Sequence, residues 1–164
     1  MNDKKFIIRR IEERDDKAVQ KIIETVMTEF GAVGQGFSIM DTEVKSMFES
    51  YTNDSSAFFV VEIDDKIAGG AGIAQLEGND ENICELKKMY IMPNARGKGA
   101  GKKLIEECLK AAKDLGYKFC YLETLSNMKS ANILYEKYGF KRLPNPLGNT
   151  GHFGCNKLFL KEIL

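Results

Sequence analysis

The chain has 164 residues, with 24 basic and 24 acidic side chains and a single histidine, so its formal net charge at pH 7 is zero and its length suits one domain. Hydrophobic residues make up 43%, including ten Phe and six Tyr, and charged residues 29%, which excludes collagen-like, low-complexity and disordered chains; zero net charge excludes the global positive field of a non-specific nucleic-acid binder and leaves charge-based function to local patches. The four cysteines form no CxxC pair and one histidine cannot complete a zinc-finger spacing, so no metal is expected, and a Ser-His-Asp hydrolase is hard to build without a GxSxG turn.

The N-terminal Met1-Asn2-Asp3-Lys4-Lys5 lacks a signal-peptide apolar region, and no apolar run reaches membrane-spanning length. A reduced, cytoplasmic protein without membrane contact is therefore expected. Phe6 to Ile11 reads as a strand. After the charged turn Glu12 to Asp16, Val19, Ile22, Ile23, Val26, Met27 and Phe30 recur at helical spacing. Gly31 to Gly36 end that helix. Asp41 is a candidate N-cap for a shorter one carrying Val44, Met47, Phe48 and Tyr51.

Ala57 to Ile63 and Ile67 to Leu76 flank Asp64-Asp65-Lys66 as an antiparallel hairpin. Its Gly69, Gly70 and Gly72 suggest close backbone approach. A polar turn, 77–82, leads into a strand from Ile83 to Met92. Strict alternation would put Leu86 and Met89 on opposite faces; burial of both on one side would require an extra residue, a β-bulge that splays the strand from a neighbour. Leu104, Ile105, Cys108, Leu109, Ala112 and Leu115 then mark a helix from Gly101 to Gly116. Tyr117 to Glu123 reads as a strand and Lys129 to Tyr138 as a short helix. Lys141 to Leu143 and Phe153 to Leu160 complete one α/β domain over residues 1–164.

The segment Arg96-Gly97-Lys98-Gly99-Ala100-Gly101-Lys102-Lys103 lies between a strand and a helix. Alternating glycines let successive backbone N–H groups face one point at the helix N-terminus, and four bases surround it, which suits a pyrophosphate. A Walker A loop is excluded by Arg96 and Lys103 at its Gly and Ser/Thr places, and the dinucleotide fingerprint fails at Lys102.

What fits is Arg96-x-x-Gly99-x-Gly101, preceded by Leu86-Lys87-Lys88-Met89-Tyr90-Ile91-Met92-Pro93 and followed by Ala131-Asn132-Ile133-Leu134-Tyr135-Glu136-Lys137-Tyr138-Gly139-Phe140. On these motifs the sequence resembles the GNAT superfamily of acyl-CoA-dependent N-acyltransferases. The specific part of the likeness runs from Cys84 to Phe140. With the elements above, the resemblance implies a mixed, mostly antiparallel twisted sheet of about six to seven strands, splayed at a β-bulge and flanked by about four helices. It implies acetyl-CoA as co-substrate, with the backbone of Met89, Tyr90 and Ile91 pairing with the pantetheine arm as an added strand. The turn Arg96, Gly97, Lys98, Gly99, Ala100, Gly101 and Lys102 would hold the pyrophosphate. The family's Asn falls where Met128 stands, so Asn127 or Asn132 would supply the side-chain contact.

Transfer to an amine needs a neutral nucleophile, a stabilised oxyanion and a proton for the thiolate. Deprotonating an amine of pKa about 10.4 at pH 7 costs about 4.6 kcal/mol, so a base or water relay is useful. The resemblance assigns that role to Glu85 and thiolate protonation to Tyr135, with the N–H of Met89 or Tyr90 meeting the oxyanion. His152, in the turn-rich run Asn145 to Asn156, is a candidate acceptor-side base or hydrogen-bond partner. Glu123 and Thr124 are weaker pocket candidates, and Cys155 a buried thiol or an acyl-carrying nucleophile. Residues 41–82 hold ten acids against two bases, which would favour a cationic acceptor if they line the cleft, and the loop Phe30 to Phe37 would shape acceptor specificity. The expected activity is N-acetylation of a small primary amine by direct attack in a ternary complex. Protein lysine or N-terminal acetylation, and a non-catalytic acyl-CoA sensor, are the alternatives. A homodimer is compatible, and no nucleic-acid partner is expected.

Overall fold

Each apolar run of the sequence finds its place in a computed structural model that describes residues 5–79 and 82–163. Seven strands, β1 (Phe6–Arg10), β2 (Ala57–Ile63), β3 (Lys66–Gln75), β4 (Ile83–Ile91), β5 (Phe119–Thr124), β6 (Lys141–Arg142) and β7 (Lys157–Glu162), form one sheet in the order β1-β2-β3-β4-β5-β7-β6. The β4–β5 pair is parallel and the other pairs are antiparallel. Helices α1 (Asp16–Glu29) and α2 (Met47–Ser50) cover one face, while α3 (Ala100–Asp114) and α4 (Lys129–Lys137) cover the other. Val19, Ile23 and Met27 of α1 pack with Met47, Phe58 and Val60. Leu104, Ile105 and Cys108 of α3 pack with Val61, Ile73 and Leu122.

The hairpin turn is tighter than the sequence suggests. Asp64 and Asp65 both adopt left-handed backbone, at φ 50° and 61°, the pattern of a two-residue turn whose twist matches the flanking strands, and Lys66 already belongs to β3. Gly72 is demanded by packing: a Cβ there would lie 2.5 Å from the Phe58 ring and 2.8 Å from the Ala57 carbonyl oxygen. Leu76 N–H closes the next hairpin on the Ile83 carbonyl at 3.0 Å; positions 80 and 81 of its expected polar turn lie outside the described residues.

The bulge is present. Gly72 pairs with Lys87 and Gly70 with Tyr90, so two β4 residues oppose Ala71, and Lys88 takes the strained φ of 53°. The extra residue returns Met89 to the side of Leu86, and both pack in one cluster. Pairing of β4 with β5 then stops after Ile83↔Phe119, Cys84↔Cys120 and Glu85↔Tyr121. Beyond Glu85 the two strands part.

Three expectations change. No continuous helix follows Asp41: the segment breaks into 3-10 turns at Ser38–Met40 and Thr42–Lys45 and the single turn α2. Asp41 makes no side-chain cap, because its carboxylate is bound by Lys88 and His152. Leu115 falls just past the end of α3 and is 40% exposed. The last strand starts at Lys157, since Gly154 N–H bonds the Gly36 carbonyl at 2.9 Å and holds residues up to Asn156 in a loop.

Candidate active site

The gap between β4 and β5 opens into a cleft of about 560 Å³, walled by Met89, Tyr90 and Ile91 of β4, the turn into α3, residues 127–131, 133, 134 and 137 around α4, and Val26 and Phe30 at the end of α1. Alternation decides which backbone groups face it. Met92 N–H bonds Ala68 of β3 at 2.8 Å, so Tyr90 also turns its backbone to β3, while Met89 and Ile91 turn theirs to the gap. At the cleft's far end Gly97 and Gly99 take φ of 74° and 87°, and a Cβ on either would meet nothing within 4 Å. Backbone curvature, not crowding, demands glycine there. The first intrahelical bond of α3 runs from Lys103 N–H to the Gly99 carbonyl at 3.2 Å. The amides of Ala100, Gly101 and Lys102 precede it, lie in the cleft wall and are free of helical partners. Apolar walls ending in a helix N-terminus suit an extended ligand with an anionic end.

Of the expected cofactor residues, Met89, Tyr90, Ile91, Arg96, Gly97, Gly99, Ala100, Gly101, Lys102 and Asn127 line this cleft. Arg96 is already engaged. Its Nη1 and Nη2 donate to Glu29 at 2.7 Å each, its Nε donates to the Ile91 carbonyl at 2.9 Å, and its guanidinium lies over Phe30. Asn127 donates to the Phe30 carbonyl at 3.1 Å, so both walls hold the end of α1. Lys98 points to solvent from the turn and does not line the cleft. Asn132 does not line it either: its Nδ2 donates to the Leu125 and Met128 carbonyls at 2.9 Å each, bracing the turn before α4, and its Oδ1 is buried without a partner.

Met89, Tyr90 and Met128 also border a deeper chamber of about 30 Å³. Here Glu85, His152 and Tyr135 meet, although the first two stand 67 positions apart. Glu85 is 6% exposed. Burial, opposed by Lys87 and His152, pushes its carboxyl up to about 7. His152 Nδ1 lies 3.9 Å from Glu85 Oε2 and 4.0 Å from Glu123 Oε2. Burial works against its charged form, but the bond to Asp41 and the charges of Asp41 and Glu85 outweigh that and raise its pKa. Tyr135 is packed against Phe140 and Phe159, and its hydroxyl faces Met89 Sδ at 3.8 Å. Burial keeps the phenol protonated.

The sequence reading missed the ionic frame around this chamber. Lys88 Nζ has no side-chain exposure and is held at 2.6 Å by both Asp41 and Glu43. Lys87 reaches Glu43 at 3.1 Å, and Tyr51 donates to the same carboxylate. Tyr121 and Thr150 hydroxyls donate to Glu123 at 2.7 and 2.9 Å. The one available signal was a Lys-Lys pair inside an apolar strand. Of the acidic segment 41–82, Asp41 and Glu43 do reach the site, with their charge directed at these lysines. Cys155 lines the chamber, but burial, with Glu123, Glu85 and Asp41, pushes its thiol up to about 12. The loops that carry Ser38 and His152 to the chamber also pack on each other, the Phe153 ring against Gly36 and the Phe37 ring against Gly154.

Comparison with known proteins agrees with this architecture. The family model described as Acetyltransferase (GNAT) family matches residues 19–140. The Uncharacterized N-acetyltransferase YjgM of Escherichia coli is 38% identical over 158 residues, covering 96% of this chain and 95% of that protein. The fold matches an acetyltransferase of the GNAT family from Staphylococcus aureus Mu50 with a TM-score of 0.81 at 19% identity, covering 98% and 100% of the two chains. It also matches YncA of Salmonella typhimurium, an acetyltransferase solved with its cofactor acetyl-CoA, with a TM-score of 0.76 at 16% identity over 97% and 94%. The chain belongs to the GNAT family of acetyl-CoA-dependent N-acetyltransferases.

Proposed function

We propose that this protein transfers the acetyl group of acetyl-CoA to the primary amine of a small molecule by direct attack in a ternary complex. The observation that carries the reading is the junction of the open cleft with a small chamber lined by Glu85, His152 and Tyr135. A passage this narrow suits a compact amine presented at its mouth; a protein substrate would call for an open groove.

The residues of the cleft fit acetyl-CoA. The gap-facing backbone groups of Met89 and the N–H of Ile91, whose carbonyl is taken by Arg96, would pair with the pantetheine arm, and the amides of Ala100, Gly101 and Lys102 would receive the pyrophosphate. Bound there, acetyl-CoA supplies an activated acyl thioester. Glu85, with a carboxyl near pKa 7, is matched to accepting a proton from the amine at neutral pH. A chamber of about 30 Å³ also has room for about two waters, enough for a relay. Met89 N–H faces the gap at the bulge and meets the negative charge that develops on the acyl oxygen. Tyr135 offers its proton toward sulfur, as it already does to Met89 Sδ. The raised thiol of Cys155 disfavours the thiolate that an acyl-enzyme route through it would need, which supports direct attack.

The test is release of free thiol from acetyl-CoA across a panel of small primary amines, lysine peptides and peptides with free N-termini. Turnover concentrated on small amines is expected. Turnover of peptides alone refutes the small-acceptor reading, and tight acetyl-CoA binding without thiol release above the spontaneous rate identifies a sensor.

A further inference from the structure

Asp41 lies in the turn before α2 and His152 in the loop before β7, 111 positions apart, yet both Asp41 oxygens sit 3.0 and 2.9 Å from His152 Nε2. The same carboxylate accepts from Lys88 Nζ at 2.6 Å. Lys88 and the hydrogen bond from His152 stabilise its charged form against burial, and it stays ionised. An ionised carboxylate accepts, so Nε2 carries the hydrogen. In the neutral ring the Nδ1 lone pair is then left facing the space between Glu85 and Glu123, at 3.9 and 4.0 Å. Those distances are within about 1 Å of hydrogen-bond length.

We propose that Asp41 is a positioning residue of the acceptor chamber: by holding Nε2–H it fixes the His152 imidazole so that Nδ1 takes up the proton Glu85 removes from the acceptor amine. The inference rests on the N-acetyltransferase reading above. Protons balance as follows. An acceptor entering as an ammonium loses two over a turnover. One replaces the proton that Tyr135 gives to sulfur. The other passes from the Glu85 carboxyl O–H to His152 Nδ1, giving an imidazolium stabilised by Asp41, and leaves to water.

The groups facing the imidazole come from every element packed on it: Asp41 from the turn before α2, Glu85 and Lys88 from β4, Glu123 from β5 and Cys155 from its own loop. Asp41 is the one within hydrogen-bond length of the ring. Glu43 provides a control, because it shares Lys88 with Asp41 but does not touch the ring.

His152 is the only histidine, so its ring resonances can be followed by NMR without assignment ambiguity. In the wild type, ¹⁵N shifts should report hydrogen on Nε2 in the neutral ring; hydrogen on Nδ1 overturns the proposal without any variant. In Asp41→Asn the titration midpoint of the ring should fall by about one pH unit or more, the usual effect of losing an adjacent opposite charge. Glu43→Gln should move it by less than about a third of that. An unchanged midpoint in Asp41→Asn, or an equal fall in Glu43→Gln, overturns the proposal.

With an acceptor from the panel, Asp41→Asn should lower kcat by about tenfold or more and change the acid limb of its pH profile, because the ring that must start neutral titrates lower and no longer places an imidazolium beside Glu85. Its KM for acetyl-CoA should stay within about twofold. A lower kcat with an unmoved profile marks a merely structural role and also overturns the proposal. If no amine releases thiol from the wild type, the functional reading fails instead, and the NMR arm still reports whether Asp41 holds the ring.

Discussion

Glu85→Gln should remove activity and add stability in a pH-dependent way. Burial lifts the Glu85 carboxyl from 4.5 to about 7, so ionising it in the folded chain costs more than in the unfolded chain. A carboxyl raised on folding favours the folded state while protonated. That contribution is complete below about pH 4.5, is lost as pH rises, and is gone above about pH 7. At 1.36 kcal/mol per pH unit the loss amounts to about 3 kcal/mol. Glutamine cannot ionise and is spared it. The stability of Glu85→Gln minus that of the wild type, measured by urea denaturation, should therefore rise by about 3 kcal/mol between pH 4.5 and pH 8. The other titrating groups are common to both proteins and largely cancel. Turnover at saturating acetyl-CoA should fall by about 10²-fold or more, the usual contribution of a general base. The wild-type rate should be half-maximal near pH 7, where an ordinary glutamate would already be ionised well below pH 6. A stability difference that stays flat with pH, together with an unmoved rate profile, would show that Glu85 is neither raised nor a base.

Tyr135→Phe keeps the ring packed against Phe140 and Phe159 and removes only the donor; kcat should drop about tenfold or more with acetyl-CoA affinity, by calorimetry, nearly unchanged, and an equal loss of affinity would mark the ring as a packing element. Gly72→Ala forces a methyl to 2.5 Å from the Phe58 ring, and overpacking of this kind should cost about 1–3 kcal/mol in urea denaturation. Gly99→Ala places a side chain at φ 87° with no clash, so a cost of about 1 kcal/mol is expected from backbone strain alone; acetyl-CoA affinity should also weaken as the amides at the α3 N-terminus shift, and an unchanged affinity would detach that turn from the pyrophosphate.

Much of the architecture was legible because it is written in local chemistry. Helices α1, α3 and α4 follow from apolar spacing and glycine stops, and the hairpin from a charged turn between two apolar runs. The bulge was legible from a conflict: Leu86 and Met89 could share a face only with an extra residue between them, and Lys88 is that residue. The Asp41 helix was not legible, since an aspartate before an amphipathic stretch reads as a cap unless something stronger claims its oxygens. Lys88 and His152 do. Arg96 shows the same limit, its charge being counted toward an anion cradle while Glu29, from α1, occupies its guanidinium.

By itself, the sequence determined the family, most of the elements and the glycine-rich strand-turn-helix, because backbone curvature and periodicity depend on neighbours in the chain. Its zero net charge also already implied local electrostatics. Only the tertiary structure decided where those charges act: Asp41, Glu43, Glu85, Lys88, Glu123 and His152 come from four distant segments and meet at a splay that takes water away from them. Desolvation and pairwise distance set the ionisation of Asp41, Glu43, Glu85 and His152, and neither quantity exists until the chain has folded.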